Sequence, residues 1–251
     1  MFPDRVDQHD GGTDMDILLI AGLWLDASVW DAVVAELATR GRRGVPVSLP
    51  GQGDGNASAT LADQVEAVLT AVDATVGQVV VVGHSAASSL AWIAADRRPD
   101  KVAAVVLVGG MPTPDGQPYA DFFDVVDGAM PFPGWGPFEG PDSDDLDDDA
   151  LASIAAAAIP VPQCVAQGVV RMDDERRYGV PVVMVCPEFS PDDALAWVDA
   201  GEIPELARAV DVTYVDIDSG HWPMFTQPAE LARILAGVAG VAGIAGGRDD
   251  D

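Results

Sequence analysis

Ser85 and His221 are the residues of this 251-residue chain whose type and setting most directly suggest chemistry. Ser85 lies in Gly83-His84-Ser85-Ala86-Ala87, after four consecutive valines at 79–82 and ahead of a helical pattern. A serine at such a strand-to-helix corner presents its hydroxyl outward, and small neighbours leave room for a strained backbone. A hydroxyl is a weak nucleophile until a base takes its proton. Histidine suits that task because its ordinary pKa lies near neutrality. The chain has three histidines, at positions 9, 84 and 221. His9 falls in a polar N-terminal stretch. His84 adjoins the serine and is expected to point away along the corner as a structural contact. His221 sits in Asp218-Ser219-Gly220-His221-Trp222-Pro223, where Gly220 would permit a backbone turn that carries the imidazole over a sheet edge.

Those two side chains need a scaffold that brings positions far apart in sequence together. Short apolar runs alternate with segments of helical periodicity, the pattern of a parallel sheet covered by helices. Strands are expected at 17–21, 45–49, 79–82, 102–108, 181–186 and 212–217. The valine run suits a central strand buried on both faces. Helices are expected at 28–39, 61–72, 86–97 and 228–239. Between Met111 and Tyr178 the alternation stops. This stretch is rich in proline and aromatic residues, carries an acidic run at 142–149, and then becomes alanine-rich at 150–159. A structureless loop of that length is improbable, so 112–177 reads as an inserted, mostly helical cap over the carboxyl edge of the sheet. The acidic run is assigned to the cap's solvated face and to a helix start, where carboxylates favour the helix dipole. The core is then 15–111 and 178–240, with disordered ends at 1–14 and 241–251.

In this context Gly83-His84-Ser85-Ala86-Ala87 resembles the nucleophile elbow, G-x-S-x-G, of the α/β-hydrolase fold family, with Ala87 replacing the last glycine. The loop around His221 is similar to the family's histidine loop. Ile20-Ala21-Gly22-Leu23-Trp24 looks like its oxyanion turn, with Ala21 in place of the usual histidine, and Leu49-Pro50-Gly51-Gln52-Gly53 like its P-G-x-G turn. The resemblance implies a serine hydrolase with Ser85 as nucleophile and His221 as base. The backbone N–H groups of Leu23 and Ala86 would stabilise the oxyanion. The acid is the point of departure. Ser190 stands where the family usually has aspartate, in Cys186-Pro187-Glu188-Phe189-Ser190-Pro191-Asp192-Asp193. Ser190 through Asp193 reads as a helix start. Glu188 has no such structural role and is the preferred acid, with Asp192 or Asp193 as alternatives.

Composition narrows the partners. Thirteen Lys and Arg stand against 41 Asp and Glu, a formal net charge of -28. Such a surface repels phosphate backbones and anionic membranes, so neither nucleic acid nor membrane is an expected partner. The acidity serves solubility, and it also fits adaptation to high salt. Two cysteines do not make a disulfide framework, and Cys186 is expected to be a buried thiol. No metal-ligand spacing is present, and neither a metal nor an organic cofactor is expected. With no signal-like start, the expected compartment is the cytoplasm.

Trp24, Phe123, Phe132, Trp135 and Trp222 are candidates for a mainly apolar substrate pocket, although Trp24 reads equally well as core packing. No cationic cluster marks a site for an anion. The expected substrate is a small or medium neutral ester, lactone or similar carbonyl compound, cleaved through an acyl-enzyme by a carboxylesterase-like enzyme. A Ser-His lyase of the hydroxynitrile lyase kind, or a non-catalytic ligand-binding relative, is the alternative.

Overall fold

The computed structural model describes residues 15–246, with side chains described through residue 243. The expectations for 1–14, His9 among them, and for 247–251 lie outside the described residues. The central sheet contains β1 (Asp16–Ile20), β2 (Gly44–Pro46), β3 (Val79–His84) and β4 (Val102–Val108). A small antiparallel pair follows, β5 (Ala129–Met130) and β6 (Val161–Pro162), and the sheet is completed by β7 (Val182–Cys186) and β8 (Val212–Asp216). Its order is β2-β1-β3-β4-β7-β8, and every neighbouring pair is parallel. The helices are α1 (Asp31–Thr39), α2 (Leu61–Ala74), α3 (Ser88–Arg97), α4 (Asp148–Ala157), α5 (Gln163–Ala166), α6 (Pro191–Asp199), α7 (Pro223–Thr226) and α8 (Pro228–Gly246).

The valine run explains the layering. Side chains alternate across a strand, so Val79 and Val81 enter the core shared with α2, α3 and α6, whereas Val80 and Val82 enter the core shared with α1 and α8. All four are fully buried. A strand covered on both faces needs an unbroken apolar run, and parallel pairing needs the helical crossovers. The chain steps from β1 out to β2 and then crosses to β3 on the other side. Strand order therefore reverses between β1 and β3, and in parallel sheets the crevice for ligands opens at the carboxyl ends of such strands.

Four expectations need correction. The strand expected at 45–49 is shorter and starts earlier, as β2. Pro46 has no N–H to donate, which an edge strand tolerates but a longer ladder does not. The inserted segment is not mostly helical. α4, α5 and a 3-10 turn at Gly136–Phe138 are separated by irregular chain, because the prolines between Pro112 and Pro141 deny a helix its backbone donors. The last helix does not stop near 239 but continues to Gly246, so the expected disordered tail from 241 is helical as far as it is described. Its small residues still pack, with Ala239 buried and Ala242 against the same core. Finally, the acidic run is not wholly solvated, a point that bears on the site. Among the described residues, no helix is long and apolar enough to cross a membrane.

A buried ionic cluster ties the end of the insertion to the helix that follows Ser85. Arg177 is buried, with Nη1 donating to Asp96 of α3 at 3.1 Å and Nε donating to Glu205 at 3.1 Å. Trp92 Nε1 and the Tyr178 hydroxyl donate to the same Glu205 oxygen at 2.9 and 3.0 Å. Asp96 also receives the backbone N–H groups of Asp173 and Asp174. Burial raises the Asp96 carboxyl above its ordinary value, against the opposing pull of the Asp174 N–H, Arg177 and Arg97. Removing the Arg177 cation takes the ion-pair partner from buried Glu205 and leaves buried Asp96 with only Arg97, at 3.6 Å. Arg177→Met is therefore expected to lower unfolding free energy by about 3–5 kcal/mol, read from urea denaturation. A loss under about 1 kcal/mol, the range of an exposed ion pair, would show that the cluster does not act as a buried unit.

Candidate active site

The site is built at the carboxyl ends of the strands around the β1/β3 switch. β3 ends at His84, a 3-10 turn spans Ser85–Ala87, and α3 begins at Ser88. Ser85 has φ 53°, in the left-handed region that a side chain seldom adopts. Such a backbone costs on the order of 1–3 kcal/mol and persists only where its surroundings enforce it. The enforcement here is close packing. A Cβ on Gly83 would lie 2.3 Å from the Ala87 oxygen, and a Cβ on Gly110 would lie 2.2 Å from the Ser85 oxygen. Ala87, where the motif usually has glycine, is fully buried with φ -65° and needs no special conformation.

His221 is held from several directions. Its Nδ1 lies 2.7 Å from Glu188 Oε1, with only 13% of each side chain exposed. Glu188 reaches it from the loop after β7. The other oxygen, Glu188 Oε2, is buried without a hydrogen-bond partner, so the imidazole is the carboxylate's main polar contact. Gly109, at φ 57°, sits beneath the pair: a Cβ there would lie 3.2 Å from Glu188 Oε2 and 3.3 Å from His221 Nδ1. Consecutive glycines after β4 thus abut Glu188 and His221 on one side and Ser85 on the other. Among the described residues, the Ser85 hydroxyl and the imidazole share no hydrogen bond. Bonds of this kind are often long in apo sites and tighten when substrate binds.

The competing carboxylates are placed elsewhere. Asp193 forms a capping box with Ser190, its carboxylate accepting from the Ser190 hydroxyl at 2.6 Å. Those contacts hold its carboxyl below the usual range. Asp192 is exposed in the same first turn.

His84 is buried, with its ring 5.0 Å from the His221 ring. Its Nε2 lies 2.8 Å from the His221 carbonyl oxygen, and its Nδ1 has no partner. A carbonyl only accepts, so the neutral ring carries its proton on Nε2 and donates it there. Sequence reasoning missed this contact, and it missed Asp142 and Asp145. The His221 N–H donates to the Asp142 carbonyl at 2.8 Å, and the Gly220 N–H donates to Asp145 Oδ2 at 2.8 Å. The Asp142 carboxyl is itself raised, by burial first and then by the charge of Glu188. No sequence signal separates these two aspartates from their neighbours in the acidic run.

Leu23 and Ala86 stand at the ends of β1 and β3. The Leu23 N–H has no protein acceptor among the described residues. Ala86 lies in the first turn of its 3-10 helix, where no preceding turn supplies a carbonyl. Trp24 follows with φ 62°, is buried, and donates from Nε1 to the Met130 carbonyl at 3.2 Å. Its ring begins a continuous aromatic wall. Trp24 lies 5.6 Å from Phe123 and 5.4 Å from Phe132; Phe132 lies 5.2 Å from Trp135, and Trp135 5.3 Å from Trp222. Trp222 in turn meets the His221 ring at 4.8 Å. Phe138 joins the wall between Phe132 and Trp222, whereas Phe122 is exposed. Cys186 is buried and free, and burial pushes its thiol up to about 12. Among the described residues no His, Cys, Asp and Glu cluster has the arrangement to hold a metal. A cavity of about 800 Å3 between α8 and the amino ends of β4, β7 and β8 contains none of these residues.

A family model described as "Alpha/beta hydrolase family" matches residues 17–234. Solved structures share the fold at low identity. An extracellular alpha/beta-hydrolase from a Paenibacillus species aligns with TM-score 0.71 and 17% identity over 89% of this chain and 98% of its own. A methylesterase from Arabidopsis gives 0.69 and 15% over 90% and 99%. A pyrethroid hydrolase from Sphingobium faniae gives 0.63 and 22% over 90% and 97%. No curated protein matches the chain.

The buried His84 ring has a measurable signature. Burial, and secondarily the neighbouring His221, bring its pKa from 6.5 down to about 3. The unfolded chain therefore takes up a proton that the native state refuses between those values. This contribution to stability is complete above the unfolded pKa and declines as pH falls toward the folded one, by about 1.4 kcal/mol per pH unit. In His84→Gln the side-chain amide can donate the same hydrogen bond but does not titrate. Urea unfolding of both proteins from about pH 7 to about pH 4 is expected to show the variant gaining on the wild type as pH falls. A difference independent of pH would mean that the ring is not held neutral.

Proposed function

The chain belongs to the alpha/beta hydrolase family, and on that basis we propose that it is a carboxylesterase-like serine hydrolase. Ser85 acts as nucleophile, His221 as general base and Glu188 as the acid that orients the imidazole. The observation that carries this reading is the 2.7 Å contact between His221 Nδ1 and Glu188 Oε1. With Nδ1–H donating to the carboxylate, Nε2 is left as the basic nitrogen. In the first step Nε2 takes the Ser85 proton as Oγ attacks the substrate carbonyl carbon. The resulting oxyanion is met by the N–H groups of Leu23 and Ala86, which cost no reorganisation because the backbone holds them. The imidazolium then protonates the leaving alcohol, and an acyl-enzyme remains on Ser85. A water deprotonated by His221 attacks the acyl carbon, and Ser85 recovers its proton as the acid product leaves.

The substrate reading follows from the walls of the site. Phe123, Phe132 and Trp135 are the partly exposed members of the aromatic wall, with Trp24 and Trp222 buried against them, and such apolar area with few polar groups suits a small or medium neutral ester, lactone or similar carbonyl compound. The carboxylates of Glu188 and Asp142 disfavour an anionic substrate. The methylesterase among the similar structures supports an ester substrate.

A fluorophosphonate probe and p-nitrophenyl esters test the roles together. Wild type is expected to label and to turn over the esters, and Ser85→Ala to do neither. Glu188→Gln is expected to lower kcat by about 10³-fold or more, as when a catalytic histidine loses its orienting carboxylate. Wild-type rates in Glu188→Gln would remove Glu188 from the mechanism, and a labelled Ser85→Ala would remove Ser85.

A further inference from the structure

The loop that carries His221 is mounted on the inserted cap as much as on the sheet. Two consecutive backbone donors in it, Gly220 N–H and His221 N–H, find their acceptors on the cap: Asp145 Oδ2 and the Asp142 carbonyl, each at 2.8 Å. The Ser219 hydroxyl also leans on Asp145 Oδ2, at 3.4 Å. On the sheet side the same loop has the His84 contact to the His221 carbonyl at 2.8 Å and the Glu188 contact to the ring at 2.7 Å. The loop that carries the imidazole is therefore held from both sides, its backbone by the cap and the ring itself by Glu188.

Gly220 shows how closely the cap approaches. A Cβ there would lie 2.4 Å from the Asp142 oxygen and 2.4 Å from Asp145 Oδ1. Its φ is not among the left-handed values of this chain. The glycine is thus required by the cap pressed against it and not, as the sequence suggested, by a backbone turn. The pressing segment is itself anchored. Leu146 is buried in the core with α1 and α8, and the Ser143 hydroxyl donates to the Phe138 carbonyl at 2.6 Å. Phe138 belongs to the aromatic wall, at 5.5 Å from Trp222. One short stretch of cap therefore connects the wall that would face substrate to the backbone of the base.

We propose that Asp145 is a positioning residue for His221, holding the Gly220 backbone so that the imidazole stays aimed at Ser85, and that the seated cap is a working part of the base. The proposal rests on the reading of His221 as general base. It makes turnover depend on the cap's seating through one exposed carboxylate that touches no substrate. Displacing a reacting group by about 1 Å can cost about 10²-fold in rate, so a loosened loop shows mainly in kcat.

The experiment is steady-state hydrolysis of p-nitrophenyl acetate by wild type, Asp145→Ala, Asp145→Asn and Gly220→Ala. Rates are normalised to active sites titrated with the fluorophosphonate. Asp145→Ala is expected to lower kcat per titrated site about 10- to 100-fold with KM little changed. Asp145→Asn keeps an acceptor oxygen and is expected to recover most of that loss. Gly220→Ala pushes the cap away from the other side. Combined with Asp145→Ala it is expected to cost less than the sum of the two changes, since both disturb the Gly220–Asp145 contact. A role limited to stability would reduce the number of titratable sites and leave the rate per site unchanged. Asp145→Ala turning over at the wild-type rate per site, beside an active wild type, overturns the proposal and leaves the hydrolase reading intact. A wild type that neither labels nor hydrolyses the ester overturns that reading, and this proposal with it.

Discussion

The backbone corner at Ser85 constrains everything around it. For the chain to leave β3, turn at a left-handed serine and enter α3 within a few residues, neighbouring backbone must approach closer than a methyl group allows. Gly83 makes room for the Ala87 carbonyl, Gly110 for the Ser85 carbonyl, and Gly22 for the His84 ring and Ser85 Cβ. These glycines come from β3 and from the loops after β4 and β1, so the corner exists only when three neighbouring strands are assembled in register. The same assembly aligns their carboxyl ends, and with them the loops that bring Leu23, Glu188 and His221.

The corner is strained locally and supported from behind. Strain at Ser85 and Trp24 lies on the two turns flanking the crevice, and among the described non-glycine residues Asp127 alone shares a comparable positive φ. α3, which begins at the corner, is held at its far end by Asp96 in the buried cluster with Arg177 and Glu205. An isolated buried ion pair gains little net stability, but it does fix geometry when its remaining hydrogen-bonding groups are filled. Here Trp92 and Tyr178 donate to Glu205 and the backbone at 173–174 donates to Asp96, whose second oxygen has Arg97 Nε at 3.6 Å. The return of the chain from the cap is thereby tied to the helix that presents the serine. Among the described residues Arg177 is the buried arginine, whereas Arg40, Arg98, Arg176, Arg208 and Arg233 pair with carboxylates at the surface.

Where sequence reasoning failed, it failed through contacts between distant segments. The proline-rich insertion has too few amide donors for continuous helix, and that was readable from its prolines; the period of its alanine-rich end invited more helix than the whole segment forms. Asp142 and Asp145 look like any solvated carboxylate in a run of acids, and only their position over the His221 loop distinguishes them. Gly220 looked like a turn glycine because glycine's usual reason is a left-handed φ. Its actual reason is the backbone of a segment about 75 residues earlier in the chain, the separation of the Gly220–Asp145 contact.

The sequence alone determined the sheet and the corner, because both are written in local pattern. Four β-branched residues in a row, a small-residue turn around a serine and a following helical period require no knowledge of distant partners. It also made Glu188 the preferred acid, with Asp192 and Asp193 left as alternatives, since Ser190 through Asp193 read as a helix start. Only the tertiary structure decided which carboxylate oxygen lies 2.7 Å from His221 Nδ1, that His84 holds the His221 carbonyl, and that the cap grips the same loop. Those are meetings of side chains and backbone from strands and loops that the chain order separates. Their distances depend on how the layers pack, which no local pattern encodes.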